Sequence, residues 1–360
     1  MRKSFITTFF PVPKFLAMSS VGLDISDQSI KYAGLTQRGG GLRLGKHGSI
    51  RLDPGVISLG KIIDHSKLVS VLADLSKKEK IDFVRVSLSE QQVYLFTLVL
   101  PRLEMKDVRG SVELQLEDHI PISAEEAVFD FEVLSSVGGS LVVQVVAAPK
   151  DIIRDYVNVI QGAGMTLLSI EVEGQAIVRT VIPKGSPDTV MVVDFGELRT
   201  GISVVSAGKV HFTSTVDIGG INITKLIEKN FGIGFEEAEE LKQKHGLRRN
   251  TTHSELFPVL LNGISVLRDE INRHFIYWHT HKDDKSAERP QIQKIILCGG
   301  DSNLQGFADY LSMSMRTRVE MADVWVNINS FSSYIPEINF NNSLGFATAL
   351  GLALRDSDND

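Results

Sequence analysis

The stretch Thr189-Val-Met-Val-Val-Asp-Phe-Gly196 is an apolar, strand-like run that ends in an acid and a glycine. A second β-like segment, Gly201-Ile-Ser-Val-Val205, follows it directly. The same order of features occurs near the start of the chain, where Ser20-Val-Gly-Leu-Asp24 is followed by Ser29-Ile-Lys-Tyr-Ala-Gly-Leu35. Two halves that begin alike indicate a duplicated fold. We therefore expect a β-hairpin at the start of each half, with an aspartate at the end of its first strand.

Length and composition set the broad class of the protein. The chain has 360 residues, of which 43% are hydrophobic, so it can bury a large core in two domains or in two halves around a cleft. Its formal net charge is -6, with acids and bases interspersed, and a broad basic face for nucleic acid is missing. The single cysteine, Cys298, excludes an internal disulfide framework and is typical of a reducing compartment.

The amino-terminal segment, residues 1–19, is an apolar and basic tail. Pro11, Pro13 and Lys14 break its apolar runs, and no stretch of the chain approaches the roughly 18 to 20 apolar residues of a membrane-spanning helix. Two interpretations remain open, a mobile or locally packed tail and a weak anchor with its phenylalanines among lipid headgroups. Any contact with a membrane is expected to be peripheral.

Hydrophobic periodicity divides the rest of the chain. Residues 20–188 form the first half, residues 189–355 the second half, and residues 356–360 an acidic tail. Within the first half the pattern changes at about residues 101–149, where a helix is followed by two β-like segments. We interpret this region as a small inserted α/β unit.

Three turns place a glycine or a small residue beside an acid at the end of an apolar strand: Asp24–Lys31, Asp194–Thr200 and Cys298–Gly306. Ligands of α/β proteins bind at this edge of the sheet. Glycines let backbone amides approach phosphates, and a carboxylate there can hold the water shell of Mg²⁺. Each turn alone is as typical of ordinary turn chemistry as of a phosphate site, so the interpretation depends on their order.

In this order, the three turns resemble the first phosphate loop, the second phosphate loop and the adenosine motif of the actin-like ATPase superfamily. Gly219-Gly220 and the helix around Ala238–Lys242 fit the same pattern. The resemblance covers about residues 20–355. It implies an α/β, actin-like (ribonuclease H-like) duplicated fold, with two halves around a nucleotide cleft that binds ATP and Mg²⁺.

The resemblance also implies roles for individual residues. Asp24 and Asp194 are expected to hold Mg²⁺ through water. Glu171 and Glu173 lie where a polar residue between the halves would position water, and they are the catalytic candidates. The alternative for this pair is a set of ordinary turn or helix-start acids. The residues expected at the nucleotide are Asp24, Ser26, Gln28, Ser29, Lys31, Gly196, Arg199, Thr200, Gly219, Gly220, Glu239, Lys242, Gly299, Gly300 and Ser302.

Three residues depart from the superfamily pattern. Ser26 stands where the first loop usually has glycine, and its Cβ would crowd the phosphates or require a less favourable backbone conformation. Glu197 faces a polyanion unless Mg²⁺ or Arg199 offsets its charge. Asp301 follows the two glycines of the third turn, where small residues are usual. Together these departures predict weakened nucleotide binding.

The middle of the chain narrows the resemblance to the PilM family of the type IV pilus machinery. The segments that carry it are Val99-Leu-Pro101, Glu117-Asp-His-Ile-Pro121, Val128-Phe-Asp130 and Val146-Ala-Ala-Pro-Lys150. The family implies a cytoplasmic protein at the inner face of the inner membrane. Its implied partners are the short amino-terminal peptide of a PilN-like protein, held in a groove near the inserted unit, and other pilus assembly proteins.

The groove itself has few candidates in the sequence. Val112, Leu116 and Ile120 are expected in the core of the inserted unit, and some of them could instead line the groove.

Two other functions remain open. A small-molecule kinase of the same superfamily needs an aspartate base facing a polar substrate cleft, and no clear candidate is present. An FtsA-like membrane filament protein needs an amphipathic anchor, whereas Arg355-Asp-Ser-Asp-Asn-Asp360 is acidic. The sequence favours an interaction scaffold that is at most a weak ATPase.

Overall fold

The structure of the protein is a computed structural model. The residues it describes are 20–38, 41–137, 139–248, 254–281, 289–329 and 334–358. The expected amino-terminal tail, residues 1–19, lies outside these ranges, together with both of its interpretations.

The described residues form fifteen strands and ten α-helices, joined by turns and short 3-10 segments. The strands are β1 (Val21–Ile25), β2 (Ser29–Arg38), β3 (Gly41–Arg51), β4 (Ile57–Ser58), β5 (Lys61–Ile62), β6 (Phe83–Leu88), β7 (Tyr94–Pro101), β8 (Ala127–Val137), β9 (Ser140–Pro149), β10 (Thr166–Val172), β11 (Thr189–Phe195), β12 (Thr200–Ser206), β13 (Lys209–Val216), β14 (Lys294–Cys298) and β15 (Arg318–Met321). The helices are α1 (His65–Glu79), α2 (Met105–Gln115), α3 (Lys150–Gly162), α4 (Glu173–Val181), α5 (Gly220–Phe231), α6 (Phe235–His245), α7 (Leu256–Thr280), α8 (Phe307–Met315), α9 (Phe340–Ser343) and α10 (Ala347–Asp358).

Two five-stranded sheets with the same topology form the body of the protein. Their strand orders are β3-β2-β1-β6-β10 and β13-β12-β11-β14-β15. In each sheet the first three strands form an antiparallel meander, and the last two run parallel to the first strand. This identical order confirms the duplicated α/β fold that the two opening hairpins predicted.

Helices cover the central strands of each sheet. All five residues of β1 are buried, as expected of a central strand with both faces covered. In the first half, Leu68 of α1 and Tyr156 of α3 belong to the core beneath this strand. In the second half, Leu260 and Ile264 of α7 pack with β11 and β14. The turns at the strand ends are therefore supported by well-packed cores.

The inserted unit is a separate three-stranded sheet of order β7-β9-β8, with α2 on one face. This sheet begins at Tyr94, before the expected boundary of about 101. Val112, Leu116 and Ile120 are 0%, 0% and 5% exposed, because α2 and the turn after it bury them against the sheet. They belong to the core of the unit, and their suggested place in a peptide groove is corrected.

Helices α4 and α10 cross at very short range. A Cβ built on Gly351 of α10 would lie 1.8 Å from the carbonyl oxygen of Ala176 in α4. The Thr180 hydroxyl of α4 also donates to the Ala347 carbonyl at 2.7 Å. A Cβ on Gly22 of β1 would lie 2.0 Å from the Ala349 carbonyl oxygen. Helix α10 therefore packs on the first sheet, although it follows the second half in the chain.

This crossing predicts that Gly351→Ala destabilises the protein. The added methyl has no room beside the Ala176 carbonyl, and overpacking of this kind typically costs about 1–3 kcal/mol. The matched control is Gly110→Ala in α2, where nothing lies within 4 Å of the new Cβ. That substitution should gain about 0.5–1 kcal/mol from helix propensity. Thermal unfolding of both variants checks the contrast, and equal midpoints would contradict the close crossing.

Candidate functional site

A cleft opens where the strand ends of the two sheets face each other. It encloses about 110 Å³ and is lined by the turns after β1, β6, β11 and β14, together with the starts of α4 and α10. The expected site residues that line it are Asp24, Ser26, Gln28, Ser29, Lys31, Glu173, Asp194, Gly196, Arg199, Gly299 and Gly300. The three glycine- and acid-bearing turns therefore meet at one place.

Six acidic residues line this cleft. Asp27 and Glu197 each pair with an arginine, and the other four are Asp24, Glu90, Glu173 and Asp194. Burial raises the pKa of Asp194 to about 6 and that of Glu90 to about 8, and a neighbouring carboxylate adds to each shift. Burial and the Asp24 charge also raise the pKa of Glu173 well above its ordinary value. Burial raises the pKa of Asp24, although Lys31 and the Ser87 hydroxyl oppose that rise. The cleft thus holds a concentration of negative charge that favours protons or cations.

One arginine joins the two halves at the cleft. The Arg199 guanidinium of the second turn pairs with the Asp27 carboxylate of the first turn at 2.7 Å and donates to the Ser89 hydroxyl at 3.0 Å. Asp27 is itself held by the backbone amides of Leu59 and Gly60 at 2.8 and 2.9 Å. Arg199 is therefore bound to the first half rather than directed only at a ligand.

The first turn tolerates Ser26 without strain. The Ser26 hydroxyl donates to the Ser29 carbonyl at 2.9 Å and accepts from the Ser29 amide at 3.2 Å, which closes the hairpin between β1 and β2. Ser26 is not among the described residues with positive φ. The expectation of an unfavourable backbone at this position is therefore corrected, because the hydroxyl completes an ordinary turn.

The Glu197 side chain of the second turn is held by an arginine of the first half. The Glu197 carboxylate pairs with the Arg51 guanidinium at 2.7 Å, so Arg51 of β3 offsets this charge and Arg199 does not. Gly219 packs behind the turn, because a Cβ there would lie 2.4 Å from the Glu197 carbonyl oxygen. Thr200 is fully buried and donates to the Ile218 carbonyl at 2.6 Å. Gly219 and Thr200 thus support the turn and do not line the cleft.

An ion-pair cluster joins residues that were expected near the nucleoside. The buried Lys242 ammonium lies 2.8 Å from both the Asp301 and the Glu239 carboxylates and donates to the Gly220 carbonyl at 3.2 Å. Burial raises the pKa of Asp301, and the Lys242 charge opposes that rise. These four residues do not line the cavity. In this conformation they bind one another.

The third turn depends on its first glycine. Gly299 has a φ of +91°, and a Cβ there would lie 2.5 Å from the Asp194 carboxylate. Ser302 is buried and donates to the Cys298 carbonyl, so it supports the turn from behind. The Cys298 thiol is fully buried 3.8 Å from the Asp194 carboxylate, and burial raises its pKa well above the ordinary value. This agrees with a small buried side chain rather than a nucleophile.

The structure separates the two catalytic candidates. Glu173, at the start of α4, lies in the cleft. Glu171, at the end of β10, turns to the other side of the protein, where it pairs with Arg179 at 2.7 Å and Arg355 at 2.9 Å. Two strand residues at i and i+2 would share a face, but β10 ends at Val172 and the helix that begins at Glu173 changes the direction of the chain. Glu171 is therefore corrected to a partner in an ion pair outside the cleft.

Glu90 is an acid of the cleft that the sequence did not lead us to expect. Its carboxylate accepts from the Gly174 amide and contacts the Thr215 hydroxyl at 3.4 Å, so it reaches from the first half to the second. A Cβ on Gly174 would lie 2.4 Å from the Glu90 carboxylate, which explains glycine at that position. The signal was available, because Glu90 follows the apolar strand β6, parallel to β1, just as Asp24 ends β1.

A second and larger cavity of about 1150 Å³ lies between the inserted sheet and helix α4. The outward face of β8 and β9 supplies Val128, Glu132 and Val146 to it, and the turn between β12 and β13 supplies residues 207–210. Helix α4 contributes Val178 and the edge around Arg179. We call this cavity the groove. Its lining combines apolar side chains with polar and charged ones, and the edge strand β8 borders it.

Two negative findings apply to the described ranges. No three acidic, histidine or cysteine side chains there stand close enough together to hold a metal ion directly. No helix there is long and apolar enough to cross a membrane.

The duplicated sheets and the cleft between them define an actin-like protein. Similar solved structures include MreB5 of Spiroplasma citri bound to ADP, with a TM-score of 0.58 and 12% identity over 95% of this chain and 97% of that one. A PilM-PilN type IV pilus biogenesis complex has a TM-score of 0.78 and 22% identity over 94% of this chain and 98% of that one. At these identities the likeness shows the fold alone.

Sequence comparisons give the family. The model of the type IV pilus assembly protein PilM matches residues 22–357, so the chain belongs to the PilM family. EutJ of Escherichia coli is 30% identical over 34% of this chain, and FtsA of Enterococcus faecalis is 31% identical over 34% of it. These matches span only 40% of the EutJ protein and 28% of the FtsA protein.

Glu90 predicts a pH-dependent stability. Its pKa in the folded protein is about 8, above the ordinary 4.5, so the folded state binds more protons than the unfolded state between these values. The free energy of unfolding should therefore fall as the pH rises through that window. Glu90→Gln cannot ionise, so its advantage in thermal midpoint over the unsubstituted protein should grow from about pH 5 to about pH 9.

The matched control is Glu113→Gln, an exposed position of α2. It should follow the unsubstituted protein at every pH. A Glu90→Gln advantage that is constant with pH would contradict the buried carboxylate.

Proposed function

We propose that this PilM-family chain is a cytoplasmic scaffold of type IV pilus assembly, placed at the inner face of the inner membrane by a PilN-like partner. It binds Mg²⁺ and ATP in the cleft and an extended amino-terminal peptide of that partner in the groove. The family match and the two separate cavities support this proposal.

The residues of the cleft fit a magnesium-bound polyphosphate. Asp24 and Asp194 end equivalent strands of the two sheets, and each carries a pKa raised by burial, which a divalent cation would reverse. Lys31 also lines the cleft and supplies a positive charge for phosphate. Among the described residues no three acidic groups stand close enough to ligate a metal directly, so bridging waters would complete the coordination of Mg²⁺.

ATP requires the cleft to open. A cavity of about 110 Å³ is well below the roughly 300–1,000 Å³ of ordinary small-molecule sites. On the nucleoside side, Asp301 and Lys242 would have to part or shift to admit the base. Glu173 and Glu90 would face the phosphates as groups that hold or exchange protons.

The groove is the feature that supports a peptide partner. Its floor presents apolar side chains beside charged ones, and β8 is an edge strand whose outer side pairs with no other described strand. An extended peptide could add to that edge through its backbone and insert apolar side chains into the groove. The alternative function is a small-molecule kinase. Transfer of phosphate from ATP to a metabolite would support that alternative and contradict the scaffold function.

Asp194→Asn tests the cleft. Loss of one charge-assisted contact should weaken Mg-ATP binding about tenfold or more, without loss of stability, because a crowded buried carboxylate is removed. Asp24→Asn should act similarly. Calorimetric titration checks the affinity, with Asp309→Asn, exposed on α8, as the matched control. Unchanged Mg-ATP affinity in Asp194→Asn would remove the cleft from the proposal.

Val128→Glu tests the groove. Val128 is 42% exposed on β8, so the protein should fold normally, while a new charge in the groove should weaken peptide binding about tenfold or more. Fluorescence anisotropy with a labelled PilN-like amino-terminal peptide measures the effect. The matched control is Leu114→Glu, 88% exposed on α2 behind the same sheet. Equal losses in both variants would show that the groove is not the peptide site.

A further inference from the structure

The cleft and the groove lie against opposite faces of one helix. On α4, Glu173 and Ile177 line the cleft, while Gln175, Val178 and Arg179 line the groove. At about 100° per residue, Ile177 is about 40° round from Glu173, whereas the three groove residues are about 140° to 240° round. Helix α4 therefore forms a partition between the two cavities.

Each cavity has one wall in each half of the protein. The cleft lies between the turns after β1 and β6 and those after β11 and β14. The groove lies between the inserted sheet, which belongs to the first half, and the turn between β12 and β13 in the second half. Two contacts cross the groove: Lys209 pairs with Glu132 at 2.5 Å, and the Gln144 amide donates to the Val210 carbonyl. A rotation of one half against the other must change both cavities.

The chain passes between the halves at two places that adjoin this partition. One is the segment 182–188, which leads from α4 to β11, and the other is the short turn Leu344–Phe346 before α10. Between them, α4 and α10 are locked by the close approach of Gly351 to Ala176 and by the Thr180 hydroxyl on the Ala347 carbonyl. Because α4 and α10 are held together by these contacts, we take the pair as the axis about which the halves would turn.

We propose that the cleft and the groove are the two sides of one hinge, so that widening the cleft narrows the groove. The structure has a narrow cleft of about 110 Å³ and a wide groove of about 1150 Å³. Entry of a nucleotide widens the cleft, and a peptide in the groove resists the narrowing that this demands. Peptide and nucleotide then weaken each other's binding. This inference rests on the proposed function.

A cross-link across the groove tests the hinge without any peptide. In the full chain, Glu132→Cys and Lys209→Cys are introduced together and joined with a rigid para-phenylene bis-maleimide, which holds the two walls at a fixed separation and prevents the groove from narrowing. The native Cys298 is buried and should not react. The linked protein should bind Mg-ATP at least about tenfold more weakly than the same variant capped with a monofunctional maleimide. The control pair Thr36→Cys and Arg43→Cys, opposite each other on β2 and β3 of the first half, should show no such difference when linked.

Equal Mg-ATP affinity of the linked and capped groove variants would overturn the hinge. Absence of Mg-ATP binding by the capped variant and by the unsubstituted protein would remove both the nucleotide function and this inference.

Reciprocal titrations test the coupling itself. The dissociation constant for Mg-ATP should rise about 5–150-fold when a PilN-like amino-terminal peptide saturates the protein, and Mg-ATP should weaken the peptide by the same factor. Peptide binding that is unaffected or strengthened by Mg-ATP would overturn the inference and leave the scaffold intact. Failure of the peptide to bind at all would instead overturn the scaffold, while the cross-link experiment would still decide the hinge.

Discussion

The concentration of buried carboxylates between the two halves is the constraint on which the site depends. Because the fold is duplicated, β1 and β11 end at equivalent positions, and each brings an aspartate, Asp24 or Asp194, to the same cleft. Glu90 and Glu173 add two more acids. Buried like charges repel, and the raised pKa values show that the closed cleft favours proton uptake. A divalent cation would reduce the same repulsion. The duplicated fold therefore brings together like charges that favour the binding of a cation.

The contacts that hold the halves together are placed around this charge. Arg199 crosses to Asp27, Arg51 crosses to Glu197, and α10 returns from the second half to pack on the first sheet through Gly22. The ion pairs lie at the mouth of the cleft, whereas the helix crossing is a close backbone contact that includes the Thr180 hydrogen bond. In the proposed hinge, the halves turn while this crossing stays intact. The same turning would change both the cleft and the groove, which lie on opposite faces of α4.

Much of the fold was predictable, because it depends on local patterns. The two opening hairpins indicated the duplication, and the order of three turns indicated which strand ends would meet. The pairings across the chain were not predictable. Asp301 was expected as an uncompensated acid, but Lys242, 59 residues away in sequence, neutralises it. Glu171 and Glu173 are two residues apart and serve opposite sides of the protein, because a strand ends and a helix begins between them. Such outcomes depend on side-chain direction and on partners distant in sequence.

The central claim is that the paired aspartates hold a divalent cation with a nucleotide. A crystal structure of the chain with Mn²⁺ and a non-hydrolysable ATP analogue, with anomalous scattering recorded at the manganese edge, tests it most directly. The account predicts one strong anomalous peak between the Asp24 and Asp194 carboxylates, next to the phosphates, in a cleft wider than the present one. A nucleotide bound elsewhere, or a cleft nucleotide with no manganese peak between these residues, would contradict it.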